Sequence, residues 1–500
     1  MPNLEALKRR HSEHERHCDY WELLTAVVEG GDSMTDEKKK ALLPNPDGRP
    51  DAVMKERVKL ATYCNKIAPI LSRFNSELFK NPATPTGSND SFWSEDFLKN
   101  GALLDGNDDG RASFNTFLMN AMMTALTTGK AVAQIDTKRA IGAVSKAQQR
   151  ESGELNPYVI LHPRSALWDW DTGKDGFNFV KLHQFQLVRS QWDSAPNPEH
   201  IFTIYKRENG AVLTSKYVVR KIERDSKPAA PKPFISSANE RDISIEAIIE
   251  NQPIFNVGGK FEFPIVTLTL PKALWMASQL FDCQKSYFTQ TAALEYALYS
   301  NNFAMPVITG VDDDEDPLQG RLMGDGYYLT LKTGQNITTF ERSGASIQTA
   351  IAYRAEVKRD IYDVLQQIAM SASDGASIIA RSGESKAEDR RPEEILLERY
   401  GQLVKEFILQ ILKPASIARG EIVDWEVTGY DEFLGFSINE LLADMQGISA
   451  ANIPSPTFKK ELQKHFIKRV ARVYDLDQNA VEQSLKEINI SPGIDQIINP

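Results

Sequence analysis

The chain has 500 residues, of which 41% are hydrophobic and 25% charged, and its formal net charge is −10 at pH 7. This length exceeds one ordinary hydrophobic core and predicts about three domains or one elongated subunit with several parts. No apolar run approaches the ~20 residues of a membrane helix, and the polar N-terminal segment lacks an apolar signal-peptide core. The negative net charge disfavours a broad basic surface that binds nucleic acid. We therefore expect no membrane contact and a protein that stays in the cytoplasm where it is made.

The first 45 residues are strongly charged and predict helices. His11, His14 and His17 recur every third residue beside Cys18, a spacing that can place several metal ligands on one side of a helix. Zinc sites usually recruit a second, distant pair of ligands, and no CxxC or HxxxH stands elsewhere in the chain. A charged, histidine-rich helical face is therefore the favoured interpretation.

A second segment resembles part of the sequence of a calcium-binding loop. Asp105, Asn107 and Asp109, followed by Gly110, match the first half of an EF-hand loop. Thr116 stands where the closing bidentate glutamate is required. We interpret the segment as an acidic turn at the start of a helix.

That helix is predicted from Ser113 to Thr128, with Gly129 as its C-cap and a strand from Ala131 to Ile135. Gly129 and Lys130 resemble the end of a phosphate-binding P-loop. The required first glycine and the final serine or threonine are missing, and the order of strand and helix is reversed. The chain is therefore not expected to be an ATP-driven motor.

Apolar spacing predicts a helix from Met54 to Phe79, kinked at Pro69. After Tyr158 the pattern changes to short apolar or alternating runs separated by turn residues, which predicts a β-meander up to about Leu270. Its strands are predicted at Tyr158–Leu161, Leu167–Trp170, Val180–Leu187, Ile201–Tyr205, Lys216–Lys221, Ile243–Ile249 and Phe263–Leu270.

Two long helices follow, Lys272–Asn302 and Ala345–Ala372, which would extend about 46 Å and about 42 Å. Because their lengths are similar, they can lie side by side and hold the intervening segment away from the body. A third helix is predicted at Glu393–Lys413, with Pro414 as its stop. The segment between the second and third helices, Ser373–Arg391, is rich in small and flexible residues.

The insert between the first two helices has an apolar run at Pro306–Ile308, an acidic loop at Asp312–Asp316 and predicted strands at Tyr327–Lys332 and Ile337–Phe340. Its carboxylates can be a divalent-ion site or simply a solvated loop, and the second is the favoured interpretation. A β element this small is not stable alone, so we expect neighbouring copies to complete it.

This order of elements resembles the portal (head-to-tail connector) proteins of tailed bacteriophages over about residues 50 to 470. Short motifs add to the likeness: Thr128-Gly129-Lys130, Trp168-Asp169-Trp170, Tyr299-Ser300-Asn301-Asn302, Pro306-Val307-Ile308-Thr309-Gly310, Ala380-Arg381-Ser382-Gly383-Glu384 and Asp424-Trp425-Glu426-Val427. The first fifty residues and residues 475–500 have no part in it.

The resemblance implies an α+β, elongated subunit in a ring oligomer. Its parts would be a mixed α/β wing (1–270), a stem helix (271–302), a clip (303–344), a second stem helix (345–372), a tunnel loop (373–391), a long helix with a strand that returns to the wing (392–436) and a helical crown or tail (437–500). Portals of this family form twelve-subunit rings at one capsid vertex. The implied location is therefore the virion, after assembly in the host cytoplasm, without a cofactor.

The implied partners are the major capsid protein, the terminase large subunit, head-completion, neck or tail adaptor proteins, and double-stranded DNA passing through the channel. Twelve copies would carry about −120, so DNA would find few cationic contacts. The implied tunnel-loop residues are Ser377, Arg381, Ser382, Lys386 and Arg390. The implied clip docking residues are Asp312, Asp313, Asp314, Glu315, Asp316, Tyr327, Tyr328 and Lys332.

A metal-dependent phage enzyme, such as a nuclease, is the alternative hypothesis. Its metal ligands would be Asp105, Asn107 and Asp109, or the acidic run Asp312–Asp316. Metal analysis with an activity assay on DNA separates the two hypotheses. A conduit is expected to show neither stoichiometric metal nor turnover.

Overall fold

The structure is a computed structural model with two compact units, Met1–Asp431 and Glu432–Pro500. It describes residues 2–45, 51–80, 82–104, 111–137, 156–174, 176–188, 197–221, 243–254, 256–257, 260–302, 305–309, 336–340, 344–372, 391–430 and 433. The second unit is described at residue 433 and at separate helical positions: 461, 463, 464, 467, 481, 483, 484, 486 and 487. Its other predicted helical positions lie outside the described residues.

The described part of the first unit is a mixed α+β fold, and seven α-helices with three short strands among them lie before residue 129. They are α1 (Leu4–Lys8), α2 (Ser12–Glu29), α3 (Asp36–Leu42), α4 (Asp51–Leu60), α5 (Ile67–Leu78), α6 (Leu98–Asn100, continuing a π-helical turn at Phe92–Phe97) and α7 (Phe114–Thr128). Side chains cap several of their starts, since the first backbone N–H groups of a helix have no partner within it. Ser113 accepts from Thr116 N at 3.1 Å, and Gly129 ends α7 in the left-handed region at φ 80°, which confirms the predicted boundaries of that helix.

The predicted single helix from Met54 to Phe79 is wrong, because α4 and α5 are separate. The Asn65 side chain accepts from Ile67 N at 3.1 Å and from Ala68 N at 3.0 Å, which starts a new helix. Pro69 is the third residue of α5 and not a kink. Its missing N–H falls in the first turn, where no intrahelical partner is lost.

The predicted meander is confirmed as a five-stranded antiparallel sheet in the order β10-β9-β8-β7-β6. Its strands are β6 (Leu167–Gly173), β7 (Gly176–Val188), β8 (Asn197–Glu208), β9 (Ala211–Lys221) and β10 (Ile243–Ile254). Because side chains alternate along each strand, the sheet has two buried faces. One face, with Phe202 and Tyr217, packs under Leu4 and Leu7 of α1. The other face contributes Val180, Leu182, Tyr205 and Val212 to a cluster with Val132, Phe263 and Ile265.

A second five-stranded sheet lies against that other face, in the order β13-β4-β5-β2-β3. Its strands are β2 (Ala102–Leu103), β3 (Arg111–Ala112), β4 (Lys130–Thr137), β5 (Pro157–His162) and β13 (Ile265–Thr269). The assignment of Tyr158–Leu161 and of Phe263–Leu270 to the meander is therefore wrong, as β5 pairs with β4 and β2 and β13 pairs with β4. Residues 159–162 are all buried, which is typical of a central strand covered on both faces.

The two long helices predicted at Lys272–Asn302 and Ala345–Ala372 are present as α8 (Met276–Asn302) and α9 (Gly344–Ala372). They pack side by side, and we call this pair the stem. The first begins four residues later than predicted, since Lys272–Leu274 forms a 3₁₀ turn after Pro271. Beyond their ends, β14 (Met305–Thr309) pairs antiparallel with β15 (Asn336–Phe340). The predicted strand Tyr327–Lys332 lies outside the described residues.

The third long helix, α10, runs from Arg391 to Arg419, so the predicted stop at Pro414 is wrong. The helix continues because its last turn is buried and hydrogen-bonded. Ser416 donates to Leu412 O at 2.7 Å and accepts from Trp425 Nε1 at 2.7 Å. The remaining strands are two short antiparallel pairs: β1 (Thr84–Thr86) with β16 (Glu426–Thr428), and β11 (Asn256–Val257) with β12 (Lys260–Phe261). None of the described helices combines the length and the apolar composition that a membrane crossing requires.

Candidate functional site

The residues that the sequence analysis assigned to sites all lie outside the described residues. The implied tunnel-loop residues are Ser377, Arg381, Ser382, Lys386 and Arg390, and the implied clip residues are Asp312–Asp316, Tyr327, Tyr328 and Lys332. The residues that resemble half of an EF-hand loop are Asp105, Asn107 and Asp109. The structure describes the elements that flank these segments. The candidate site is therefore built from the stem helices α8 and α9 and their attachment to the sheets.

Large apolar side chains are exposed on both stem helices. The exposed fractions are 42% for Leu298, 44% for Tyr299, 39% for Ile351, 45% for Tyr353 and 54% for Tyr362. Isolated exposed apolar residues are ordinary on a protein surface, whereas a set on two adjacent helices marks a candidate contact surface.

On α8 the exposed residues continue a buried line. Leu280 and Leu294 are buried, and Leu298 follows Leu294 by one helical turn on the same side. The apolar side of α8 thus continues towards the C-terminal end of the helix, beyond the residues that other parts of the protein cover.

The same pattern occurs on α9. Val357, Ile361 and Ile368 are buried, and Tyr353 precedes Val357 by one turn. Ile351 and Tyr362 form a second exposed line, three turns apart and rotated by about 100° from the buried one. The stem therefore presents apolar side chains in two different directions.

The base of the stem is fixed to the rest of the first unit by side-chain hydrogen bonds. Trp275 Nε1 donates to Thr127 O at 2.9 Å, at the end of α7. Tyr400 OH, from α10, donates to Leu274 O at 2.8 Å. These contacts join the start of α8 to two helices that pack on the second sheet.

Arg164 completes this joint. Its guanidinium lies 4.0 Å from the ring centre of Trp21 and 5.4 Å from that of Trp275, and it donates to Thr128 O and to Glu13. Burial lowers the pKa of Arg164, and the Glu13 carboxylate opposes this effect. Burial raises the pKa of Glu13, but the neighbouring Lys130 and Arg164 cations outweigh burial, so the pKa of that carboxyl is lowered overall.

Gly129 allows this close packing. It has φ 80°, and an added Cβ would lie 2.9 Å from the Trp275 ring and 3.0 Å from Arg164 Nη1. The C-cap glycine is predictable from the sequence, whereas Arg164, Glu13 and Trp275 are not. No local pattern marks them, because their partners are distant in sequence.

Residues 62–66 form hydrogen bonds along the side of α8, and we call these contacts the brace. The buried Gln284 accepts from Lys66 N at 3.0 Å and donates to Cys64 O at 3.0 Å. Further along the same helix, Glu295 accepts from Thr62 N at 2.8 Å. The first 66 residues thus support the stem over about three turns, although their sequence gave no indication of this role.

The three N-terminal histidines do not share one exposed face. His14 is fully buried, whereas His11 stacks on Trp170 at 3.8 Å and the ring of His17 lies 6.4 Å from that of Trp21. The favoured interpretation of a solvated face is therefore wrong for His14, whose neighbours are aromatic. Among the described residues, no group of three or more histidine, cysteine, aspartate or glutamate side chains is placed to hold a metal ion.

No protein-family model matches the chain, and no curated protein matches it. A functional proposal accordingly depends on the geometry above and on the order of elements in the sequence.

Proposed function

We propose that the protein is a portal-like conduit, whose copies form a ring at a capsid vertex through which double-stranded DNA passes. The observation that carries the proposal is the pair of exposed apolar lines on α8 and α9. Burying each such side chain contributes about 1.5–3 kcal/mol, so a stem with several of them exposed favours association.

The directions of the two lines favour a ring over a simple dimer. A two-fold dimer uses one self-complementary surface, whereas a closed ring joins two different surfaces of each subunit. The first line comprises the exposed ends of the two buried helix sides, Leu298 on α8 and Tyr353 on α9, which we propose act together, and the second line carries Ile351 and Tyr362 on α9. We propose that the first line of one copy packs against the second line of the next, with about twelve copies by analogy with portal proteins.

The strand pair β14–β15 supports a docking role for the end of the stem. Two strands of five residues each are too small a sheet to be independently stable. We propose that neighbouring copies complete it and that the acidic run Asp312–Asp316 with Tyr327, Tyr328 and Lys332 then contacts the terminase large subunit and later the neck or tail adaptor. The wing would contact the major capsid protein.

The acidic composition supports passage of DNA without tight binding. A net charge of −10 on each copy repels the phosphate backbone. Sparse contacts would come from Arg381, Lys386 and Arg390 in the segment between α9 and α10, together with Ser377 and Ser382. The protein would then be a structural part of the virion, assembled in the host cytoplasm, and not an enzyme.

Native mass spectrometry and negative-stain electron microscopy of the purified chain test this proposal. We expect rings with a central channel, and we expect Leu298→Glu combined with Tyr353→Glu to yield folded monomers. Ile422→Glu is the matched control, because Ile422 is 63% exposed and lies outside the stem. Monomers of the unchanged chain at all concentrations, or rings of the double variant, would refute the proposal.

A further inference from the structure

The N-terminal residues 2–15, comprising α1 and the first turn of α2, form a strap across one face of the meander sheet. Leu4 and Leu7 are buried there with Phe202, Tyr217 and Val219. The Lys181 ammonium, on β7, donates to Ala6 O at 3.0 Å and to Arg9 O at 2.6 Å. The strap therefore covers Lys181 and the strand residues beside it.

A row of imidazoles lies beneath the strap, centred on the Trp168 ring. The ring of His14, in the strap, lies 5.0 Å from that of Trp168, and the ring of His183, on β7, lies 4.3 Å from it. His183 Nε2 is 2.8 Å from His200 Nδ1 on β8. Val219 pairs with His200 across the strands and belongs to the cluster under Leu4 and Leu7.

The hydrogen bonds of this row cannot all be kept when both His183 and His200 are protonated. His14 Nε2 donates to Ser165 O at 3.0 Å, and its buried Nδ1 has no hydrogen-bond partner among the described residues. Between His183 and His200 one nitrogen donates and the other accepts. If both rings were protonated, two N–H groups would face each other and the bond would be lost.

Two cations and two anions lie around the row. The Arg10 guanidinium lies 4.1 Å from the ring centre of Trp168, and the Lys181 ammonium is 3.6 Å from Asp169. Asp169 on β6 and Glu15 on α2 are the anions that influence His14. Glu199, Arg220 and Glu246 form an ion-pair group on the opposite face of the sheet, because each is one residue away from a strap-facing position.

We propose that residues 2–15 are a proton-released strap, which detaches from the meander sheet when His14, His183 and His200 become protonated, while the rest of the first unit remains folded. The ligand of this switch is the proton itself. The inference does not depend on the proposed ring, because every contact in it lies within one chain.

The direction of the pH dependence follows from burial. Burial lowers the pKa of His14 from 6.5, that of His183 to about 3, with His200 and Arg10 adding to the effect, and that of His200 to about 4. A released strap restores ordinary imidazoles, so the released state binds protons that the docked state does not. Docking is complete above pH 6.5 and weakens as the pH falls towards 3–4, by up to about tenfold per pH unit each for His183 and His200, and His14 acts in the same direction.

Hydrogen exchange measured by mass spectrometry tests the switch between pH 7.5 and pH 5, after correction for the intrinsic exchange rate. For residues 2–15 we expect the opening equilibrium to rise by up to about thirtyfold per histidine at pH 5. Helix α7 serves as the internal reference and should keep its protection. An unchanged strap, or equal loss of protection in α7, would overturn the proposal.

Two variants separate the imidazoles from other causes. His183→Gln with His200→Gln should reduce the ratio of opening at pH 5 to that at pH 7.5 to the contribution of His14 alone. Arg10→Gln removes a cation that lowers the docked pKa values of His14 and His183, so the pH below which opening stops increasing should shift upwards. Arg16→Gln, on the exposed side of α2, should leave the ratio unchanged. A ratio that is the same in all four proteins would refute the assignment.

Discussion

The indole Nε1 of Trp275 donates a 2.9 Å hydrogen bond to the carbonyl oxygen of Thr127, 148 residues earlier in the chain. This bond satisfies a carbonyl at the C-terminus of α7, where the helix itself supplies no donor. It also fixes the residue from which α8 begins. The orientation of the stem on the two sheets therefore depends on one side chain that belongs to neither helix.

Replacing Trp275 with Phe should destabilise the first unit by about 1–3 kcal/mol, because the half-buried Thr127 carbonyl loses its donor. Denaturant unfolding followed by circular dichroism measures the change. Tyr362→Phe is the control, since its side chain is largely exposed, and it should alter the free energy of unfolding by less than about 0.5 kcal/mol. Equal effects of the two substitutions would contradict a role for the indole bond.

Gly129→Ala should destabilise the protein more than Gly210→Ala. Both glycines have nearly the same positive φ, +80° and +79°, so both substitutions strain the backbone by about 1 kcal/mol. Only at Gly129 would the new Cβ meet the Trp275 ring, at 2.9 Å, while nothing lies within 4 Å at Gly210. The difference between the two unfolding free energies isolates the close approach, and a difference of zero would show that the joint can relax.

Arg164→Met should cost about 2–3 kcal/mol, because Thr128 O and the Glu13 carboxylate lose a charged donor. A double-mutant cycle with Glu13→Gln measures how much of this cost arises from the pair. We expect a coupling free energy of about 1 kcal/mol or more, since the guanidinium is mostly enclosed by two indole rings. Strict additivity of the two substitutions would show that the pair contributes nothing.

The same carboxylate gives a pH-dependent term of known sign. The pKa of Glu13 in the folded protein lies below its ordinary value of 4.5. Its contribution is therefore complete above pH 4.5 and is lost as the pH falls through the lower folded value. The unfolding free energy of the unchanged protein minus that of Glu13→Gln should decrease between pH 5.5 and pH 3, and a constant difference would contradict the pKa direction.

Periodicity and turn residues in the sequence were sufficient to predict the meander and the long helices. The strands of the meander show alternating apolar and polar residues, and the long helices show apolar residues every three to four positions. Proline was misjudged twice, at Pro69 and Pro414, because its effect depends on its place within a turn and on the burial of the residues that follow. The role of β5 was also missed, since strand pairing is a long-range choice.

The candidate contact surface was only partly foreseeable. Helical spacing predicts the helix that carries Leu298, but spacing alone does not tell whether a residue is covered. Arg164 and Gln284 act through partners 36 and 220 residues away, so their importance becomes visible only in three dimensions. Whether Arg381 and Lys386 contact DNA stays a prediction.

The brace along α8 has a consequence for synthesis of the chain on the ribosome. The bond from Thr62 to Glu295 spans 233 residues, so the N-terminal helices emerge long before the helix that they support. Contacts of such separation slow folding and leave apolar surface open to aggregation in the meantime. Nascent chains that have not grown beyond Pro271 would leave the apolar surface of the N-terminal helices uncovered. We expect them to depend on chaperones until α8 has been synthesised.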